Sequence, residues 1–467
     1  MLHDSVANHD ATLLMETSPR TEYCLHSWGA NSSGQLAQGH VEDLSEPQRP
    51  DAAALKHRAL RALSGGGGHT AAVTENGEVF VCGQNHRGQL GLGHNADVST
   101  FQLCPSLNQR VTQVVCGWDF TLLLNDCGRV LACGSNAYGQ LGVGQHITHS
   151  ADLLVIESLE EPVVSVAAGL RHSLAVTDSG CVYQWGSGLF SHAKRALGPR
   201  SVPSHLSSPV PSLVPGLDQK ISHKVTAGLA HCVCLTGDGD LFLWGSNKRG
   251  QLTTTEPFLS SPTLVKRSLL GDEKVINVWS GWTHIVAQTE SGKVFTWGRG
   301  DYGQLGRRAS TSQNSKLPST DPSGEGGNQE ARLPAEVKVL RGATQEIVAN
   351  KVDVWEGQGQ ALDHSSTALM ILAAALACVT TLSPRVRVQL KIACGSEHNL
   401  AVVDGRLLSW GWNEHGMCGD GSQSDVFQPQ LVSGLSPLLI GCGAGHSMAT
   451  CAATTDSRQN SATTPPH

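Results

Sequence analysis

The sequence contains no long basic stretch. Lysine and arginine total 33 against 40 acidic residues, which gives a formal net charge of −7 at pH 7. No run of these cations exceeds the pair Arg307–Arg308, and residues 1–21 carry no basic cluster. Proteins that bind nucleic acid through its phosphates normally concentrate positive charge in a patch or tail. The composition therefore predicts that nucleic acid is not a partner.

Long apolar runs and paired cysteine motifs are missing as well. The longest apolar run, Ala368–Val379, has twelve residues, whereas a transmembrane helix needs about 20, so we expect no membrane span. The fourteen cysteines include no C-x-x-C pair, which argues against a cysteine metal site. No basic-then-apolar leader opens the chain. These features predict a reduced protein of the cytoplasm, the nucleus or both.

The familiar catalytic motifs do not occur either. There is no G-x-S-x-G, no H-E-x-x-H and no Walker glycine loop, so hydrolase, zinc-protease and nucleotidase chemistry has no support. We therefore expect no catalytic residue, no metal and no cofactor. Whether the chain acts as an enzyme stays open, because a protein can regulate another enzyme without reactive groups of its own.

The sequence does contain two phrases, each repeated seven times. One phrase, W/C-G-x-N-x-x-G-Q-L or a variant of it, starts at Trp28, Cys82, Cys133, Trp185, Trp244, Trp297 and Trp410. The other phrase, G-x-x-H, ends at His69, His172, His231, His284, His398 and His446, with Phe120 in the seventh copy. Such repetition indicates an array of equal structural units.

The spacing inside each copy predicts an antiparallel β-hairpin. His69 and Cys82, for example, are joined by two apolar-alternating runs that flank Gly77, and a tight turn needs a residue that accepts positive φ. Tyr23–Leu36 has no G-x-x-H arm before it, and Leu439–Cys451 has no W-G phrase after it. The two segments together would complete one unit and close a ring without an open sheet edge.

These phrases resemble the repeats of the regulator of chromosome condensation family, and the resemblance covers residues 23–306 and 392–451. It implies an all-β fold, a seven-bladed β-propeller closed by the N- and C-terminal strands. Phrases such as CGWDFT from Cys116 and SWGWNEHGMCGDG from Ser409 are similar to a branch of the family that is linked to secretion. The resemblance implies a small GTPase as partner, and secretory-machinery proteins as further partners.

The family is known for exchanging guanine nucleotide on a small GTPase. Its exchange aspartates lie in the repeat loops, and Asp119 and Asp301 are similar to them in local position. The family's exchange wedge is an insertion in the third-blade region, whereas Cys133–Gly144 continues the plain repeat here. Two hypotheses therefore stand side by side: a guanine nucleotide exchange factor and a non-catalytic interaction scaffold.

Both phrases are expected at one rim of each blade, because the two ends of a hairpin lie together. Loops on a rigid scaffold commonly carry function, and exposed Trp, Tyr and Arg are typical of binding hot spots. The alternative is that these residues are ordinary solvated loop tips. The candidate partner-binding residues are Trp118, Asp119, Arg171, Trp282, Asp301, Tyr302 and Glu397.

The repeated histidines are interpreted as structural. Six copies spread around a ring lie too far apart to share one metal ion. We expect each imidazole to hold its own blade through hydrogen bonds to nearby backbone.

The domain prediction divides the chain into a flexible lead at residues 1–21, propeller repeats at 22–306 and 392–451, and a flexible tail at 452–467. Residues 307–391 are predicted to be a polar, disordered insertion with an apolar segment at 368–379, which could be a docked helix, a partner-binding helix or an unspliced segment. The proline-rich Leu189–Ser222 predicts a long surface loop in the fourth blade. We expect a monomer.

Overall fold

The computed structural model describes residues 22–50, 53–55, 57–105, 109–307, 329–338, 340 and 390–452. Within them, seven four-stranded antiparallel sheets surround a central channel. The prediction of a seven-bladed, all-β propeller is confirmed. The predicted lead, almost all of the predicted tail and the apolar segment at 368–379 lie outside the described residues.

Blade 1 is built from both ends of the described chain. It contains β1 (Tyr23–Gly29), β2 (Leu44–Gln48), β27 (Pro437–Cys442) and β28 (His446–Ala452), in the order β2-β1-β28-β27. β1 and β28 are hydrogen-bonded neighbours, with Trp28 opposite Ser447. The predicted closure of the ring by the two half-repeats is confirmed.

Blades 2 to 7 each use four consecutive strands, ordered from the channel outward. Blade 2 contains β3 (Leu60–Gly65), β4 (His69–Thr74), β5 (Val79–Gly83) and β6 (Val98–Leu103), and blade 3 contains β7 (Val111–Cys116), β8 (Phe120–Asn125), β9 (Val130–Ser135) and β10 (His149–Val155). Blade 4 contains β11 (Val163–Ala168), β12 (Ser173–Thr177), β13 (Val182–Trp185) and β14 (Ser212–Leu213), and blade 5 contains β15 (Ser222–Ala227), β16 (His231–Thr236), β17 (Leu241–Ser246) and β18 (Phe258–Leu264). Blade 6 contains β19 (Val275–Ser280), β20 (His284–Thr289), β21 (Val294–Gly298) and β22 (Ala335–Glu336), and blade 7 contains β23 (Lys391–Cys394), β24 (His398–Val403), β25 (Arg406–Gly411) and β26 (Val426–Leu431).

Each W/C-G phrase binds its blade to the preceding one. The indole Nε1 of Trp185 donates to the carbonyl of Gln140 at 2.9 Å, and that of Trp297 donates to the carbonyl of Gln251 at 3.0 Å. Where cysteine replaces tryptophan, the thiol takes over this contact, as between Cys82 and the carbonyl of Gln35. The repeat keeps these residue types because they form the joints between blades.

The N-x-x-G-Q-L phrase folds back on itself. In blade 2, the Oδ1 atom of Asn85 accepts from the backbone N–H of Leu90 at 3.0 Å, and its Nδ2 donates to the carbonyl of His94 at 2.7 Å. The Oε1 atom of Gln89 accepts from the backbone N–H of Arg87 at 2.9 Å. The asparagine and glutamine thus fix the loop, and the residues between them stay free to vary.

The fourth blade departs from the predicted long loop. Phe190–Leu197 forms an α-helix, α1, and a short 3-10 helix follows at Ser204–Leu206. Leu189, Ala193 and Leu206 are buried in the apolar cluster between blades 4 and 5. The loop prediction is therefore wrong here, since this segment packs into the core. The other 3-10 helices are Ala53–Leu55, Arg267–Leu270 and Gln329–Arg332.

Part of the segment assigned to the insertion belongs to the propeller. β22 supplies the fourth strand of blade 6, with Glu336 opposite Phe295. Val337 and Leu340 are buried in one cluster with Trp410 of blade 7. The propeller therefore includes residues 335–337 and 340, which the domain prediction placed inside the insertion.

Candidate partner-binding face

Both repeated loops lie on one face of the propeller, which we call the loop face. The backbone N–H of Gln84, in one loop of blade 2, donates to the carbonyl of Gly68 in the other at 2.8 Å. The G-x-x-H loops of all seven blades surround the channel mouth, where the open space is about 80 Å³. Backbone bonds such as Gly67 N–H to Trp118 O, 2.9 Å, pass from one blade to the next.

Two candidate residues meet at this mouth. Trp118 of blade 3 and Trp282 of blade 6 have ring centroids 5.4 Å apart and planes inclined at 52°. Trp118 is 41% exposed, which is unusual for so large an apolar side chain. The pair forms an aromatic platform at the mouth of the channel, suited to an apolar side chain of a partner.

Asp119 lies beside the aromatic platform in a partly buried position. Burial raises the pKa of its carboxyl, while a hydrogen bond from Ser135 and the charges of Arg87 and Arg171 act in the opposite direction. Arg171 is exposed, and its guanidinium lies 4.3 Å from the centroid of the Tyr138 ring. Asp119 is thus a partly exposed acid within the electrostatic influence of two arginines.

Asp301 and Tyr302 share an arginine that the sequence interpretation missed. The Nε of Arg299 donates to Oδ2 of Asp301 at 2.9 Å, and its Nη2 donates to the Tyr302 hydroxyl at 3.1 Å. The same guanidinium lies 4.4 Å from the Tyr302 ring centroid. The side chain of Asp301 is 61% exposed, so a cation of a partner could reach it in competition with Arg299.

Glu397 does not belong to the exposed set. It is only 7% exposed, and its carboxylate accepts from the Thr283 hydroxyl at 2.7 and 2.8 Å and from Nε2 of Gln304 at 2.7 Å. Burial raises the pKa of this carboxyl. Its oxygen lies 3.8 Å from Arg299, so Glu397 fixes the arginine that holds Asp301. The expectation of direct partner contact does not fit this burial.

The structure adds further aromatic residues to the loop face. Trp412 lies 6.5 Å from Tyr302 and 5.7 Å from His415, centroid to centroid. His415 in turn contacts Asp43 of blade 1 at 2.8 Å. Like Tyr302, Trp412 and His415 occupy variable positions of the W-G phrase, although Gly300 and Met417 replace the usual asparagine and glutamine in these two copies. That placement was the signal available in the sequence.

The repeated histidines bond to the next blade. His69 lies 2.8 Å from the Thr121 hydroxyl, which itself donates to the carbonyl of Gln89. The hydroxyl therefore accepts from the imidazole, and Nε2 carries the proton. The expectation that each imidazole bonds backbone of its own blade is wrong, because the partner is the side chain that follows the next histidine position.

The same contact recurs at three other joints. His446 bonds Thr70 at 2.8 Å, His284 bonds Asn399 at 2.7 Å and His398 bonds Ser447 at 3.0 Å. Neither ring nitrogen of His172 or His231 has a side-chain hydrogen-bond partner among the described residues, although the backbone of His231 lies near enough to His172 to act against the fall in its pKa. At the matching positions stand Cys232 and Ile285, of which isoleucine offers no polar atom and cysteine only a weak one.

Burial keeps all six imidazoles neutral at neutral pH. It is the first cause that lowers their pKa, to about 3 for His69, His231 and His398 and to about 4 for His172, His284 and His446. Within the part of the chain that the structure covers, no group of His, Cys, Asp or Glu could hold a metal ion. In that same part, no helix is long and apolar enough to cross a membrane.

Comparisons with known proteins agree with this architecture. A family profile described as RCC1-like domain matches residues 24–449. The chain is 45% identical to the secretion-regulating guanine nucleotide exchange factor of Bos taurus over 436 residues, which cover 92% of this chain and 84% of the relative. It is 44% identical to the protein of the same name from Mus musculus over 433 residues, 91% and 83% of the two chains.

Solved structures show the same fold at lower identity. Human WBSCR16 superposes with a TM-score of 0.67 and 23% identity, covering 93% of this chain and all of that one. Prp20p of Saccharomyces cerevisiae superposes with a TM-score of 0.68 and 21% identity, covering 94% and 93%. The resemblance found in the repeated phrases is thereby confirmed.

Proposed function

The chain belongs to the RCC1-like domain family, and we propose that it is a guanine nucleotide exchange factor for a small GTPase linked to secretion. The observation that carries the proposal is the identity with two relatives of that name, which extends over most of both chains. The loop face supports it with the aromatic platform, with Asp119 next to Trp118, and with the exposed carboxylate of Asp301.

Exchange needs no reactive side chain on this protein. A small GTPase holds its nucleotide through P-loop amides, a lysine and a magnesium ion. A partner that binds the nucleotide-free form more tightly must weaken nucleotide binding by the same factor, at about 1.4 kcal/mol for each tenfold. The loop face therefore acts by preferring one state of the GTPase.

The acidic residues supply that preference in this proposal. When nucleotide leaves, the lysine of the GTPase loses its phosphate partners and an accessible carboxylate can compensate its charge. The side chain of Asp301 is exposed, and its Oδ2 accepts a hydrogen bond from Arg299. Asp119 is less accessible but lies beside Trp118, so a GTPase seated on the aromatic platform would bring its surface close to this carboxyl.

The test is nucleotide release from a panel of purified small GTPases loaded with a fluorescent guanine nucleotide. The wild-type chain should accelerate release from at least one of them. Asp119→Ala and Asp301→Ala should each slow this accelerated release by about tenfold, while melting temperatures stay nearly unchanged because loop-tip substitutions seldom destabilise.

The matched control is Asp126→Ala, an exposed acid in the turn between β8 and β9. This substitution also removes one negative charge, but at a position away from the loop face, so nucleotide release should be unchanged. Accelerated release that survives both loop-face substitutions would contradict the assigned roles of Asp119 and Asp301.

A second candidate function is a non-catalytic scaffold that docks secretory-machinery proteins. The exposed Trp118 and Arg171 favour it, because tryptophan and arginine dominate the energetics of protein interfaces. This hypothesis predicts no release from any GTPase, and loss of partner binding on substitution of Trp118, Arg171 or Trp282. In either role we propose a monomer of the cytoplasm, the nucleus or both. The free thiols of the thirteen described cysteines fit such a reducing compartment.

A further inference from the structure

Charge is divided unevenly over the loop face. Blade 7 and blade 1 contribute loops at residues 412–425 and 30–43 that contain acids and no lysine or arginine. The loops of blades 4 and 5, at residues 186–200 and 247–256, contain five cations and Glu256 as their only acid. The acids are Glu42, Asp43, Glu414, Asp420 and Asp425, and the cations are Lys194, Arg195, Arg200, Lys248 and Arg249.

The basic side is built on α1, which replaces the N-x-x-G-Q-L turn in blade 4. Ala193 and the preceding Leu189 are buried, and Leu189 packs close to Gly245 of blade 5. This packing seats the helix on blade 5 and leaves Phe190, Lys194 and Arg195 exposed.

Lys248 follows β17, the blade-5 strand that α1 contacts, by two residues. The charge of Lys248 also acts on His192 of α1. Burial is the main cause that lowers the pKa of His192, and the charges of Arg195 and Lys248 lower it further. Phe190, Lys194, Arg195 and Lys248 are named here the blade-4 basic surface.

Three cations of this surface, Lys194, Arg195 and Lys248, have no acidic partner within the described residues. In the described parts of the chain, none of the three forms an ion pair, whereas Lys220 and Arg267 both pair with Asp240, and Lys293 pairs with Glu273. Lys194 and Arg195 do complement the carboxyl end of the helix dipole. That role explains neither Lys248 nor the 42% exposure of Phe190.

We propose that the blade-4 basic surface docks an acidic segment of a partner protein that also carries an apolar side chain. The carboxylates would pair with Lys194, Arg195 and Lys248, and the apolar side chain would cover Phe190. A broad anionic surface, such as a bilayer or a duplex, fits less well because the acids of blades 7 and 1 lie on the same face and would repel it. This site is independent of nucleotide exchange.

The test uses fluorescence anisotropy with a short synthetic peptide in which glutamates alternate with leucines. A second peptide with lysine in place of every glutamate serves as the probe control. We expect the acidic peptide to bind with an affinity that falls as salt is added, and the basic peptide not to bind.

Charge reversal locates the site. Lys194→Glu/Arg195→Glu, and separately Lys248→Glu outside the helix, should each weaken binding of the acidic peptide by about tenfold or more. The control pair Lys274→Glu/Arg406→Glu changes the same charge at exposed positions away from the loop face and should leave binding unchanged. Circular dichroism should show every variant folded.

Three results would overturn the proposal. The first is an acidic peptide that does not bind, and the second is equal loss of binding in the control pair. The third is binding of the wild-type chain to phosphatidylserine vesicles but not to the peptide, which would assign the surface to a membrane.

Discussion

The joints between blades fall into two contiguous groups that use different interactions. The joints 1–2, 2–3, 6–7 and 7–1 each contain a hydrogen bond from a buried histidine to the next blade. At the joints 3–4, 4–5 and 5–6 that bond is absent among the described residues, because Phe120 replaces one histidine and Cys232 and Ile285 replace the side chains that would accept from the other two.

The joints that lack the histidine bond have the larger apolar clusters. The clusters at joints 4–5, 5–6 and 3–4 contain fourteen, thirteen and eleven buried apolar residues. Those at the four histidine-bonded joints contain ten, ten, eight and eight within the described chain. The same repeat is thus stabilised by a buried polar bond on one side of the ring and by a larger apolar cluster on the other.

The G-x-x-H motif therefore serves the shape of the blade as well as hydrogen bonding. A Cβ atom on Gly169 would lie 2.1 Å from the His172 ring, and one on Gly117 would lie 1.9 Å from the Phe120 ring. The glycine therefore makes room for a flat ring in both groups of joints. Hydrogen bonding is an addition that depends on the residue after the next histidine position.

Lowering the pH should destabilise both groups of joints and reduce the free energy of unfolding, and this is the largest effect we expect. An unfolded histidine has a pKa near 6.5, while burial holds the six folded values at about 3 to 4. Below pH 6.5 the unfolded chain binds more protons than the folded chain. The contribution of the six neutral histidines to the free energy of unfolding is therefore complete above pH 6.5 and is lost as the pH falls towards 4. Each histidine contributes at most about 1.4 kcal/mol per pH unit in that window.

Urea unfolding at about pH 7 and about pH 5 measures this loss. We expect a markedly lower free energy of unfolding at the lower pH. An unchanged free energy would mean that the imidazoles can be protonated in the folded state, and burial would then not control their charge.

Replacing one histidine from each group should separate the two kinds of joint. Phe120 shows that the position accepts phenylalanine. His284→Phe leaves the buried Oδ1 of Asn399 without its donor, whereas His231→Phe breaks no side-chain bond. We expect the first variant to be less stable than the second by about 1–3 kcal/mol. Equal free energies of unfolding would remove the distinction between the two groups.

A histidine bond could also be added where it is missing. Cys232→Ser places a hydroxyl at the position that accepts from the histidine in four other joints, next to the unpartnered His172. We expect the free energy of unfolding to rise by about 0.5–1 kcal/mol. Cys234→Ser is the matched control, because that buried thiol already donates to the Ser222 hydroxyl, so the substitution adds no bond to a histidine and should not raise stability. If both serine variants were equally destabilised, His172 would not be poised to donate.

The blade architecture could be predicted from the sequence because its determinants are local and repeated. Trp, Gly and His recur at fixed distances, and each copy confirms the reading of the others. The histidine partners could not be predicted so directly, since Thr121 lies 52 residues from His69. The polar residue after most histidines was a usable signal, but it makes sense only once neighbouring blades are placed side by side.

The candidate site was predicted less completely than the fold. Trp118 and Trp282 are far apart in sequence, and only the ring brings them together. Nothing local distinguishes the buried Glu397 from an exposed loop acid, because Thr283 and Gln304, which satisfy its carboxylate, come from blade 6. α1 was hidden by the prolines that follow it, although its eight residues contain none.

The most direct test of the exchange proposal is to compare two affinities. A small GTPase that responds in the release assay should be bound by this chain both without nucleotide and with saturating guanine nucleotide. We expect much tighter binding of the nucleotide-free form, because only a differential affinity can shift the equilibrium. Equal affinities for the two forms would contradict exchange activity and leave the scaffold as the function of the loop face.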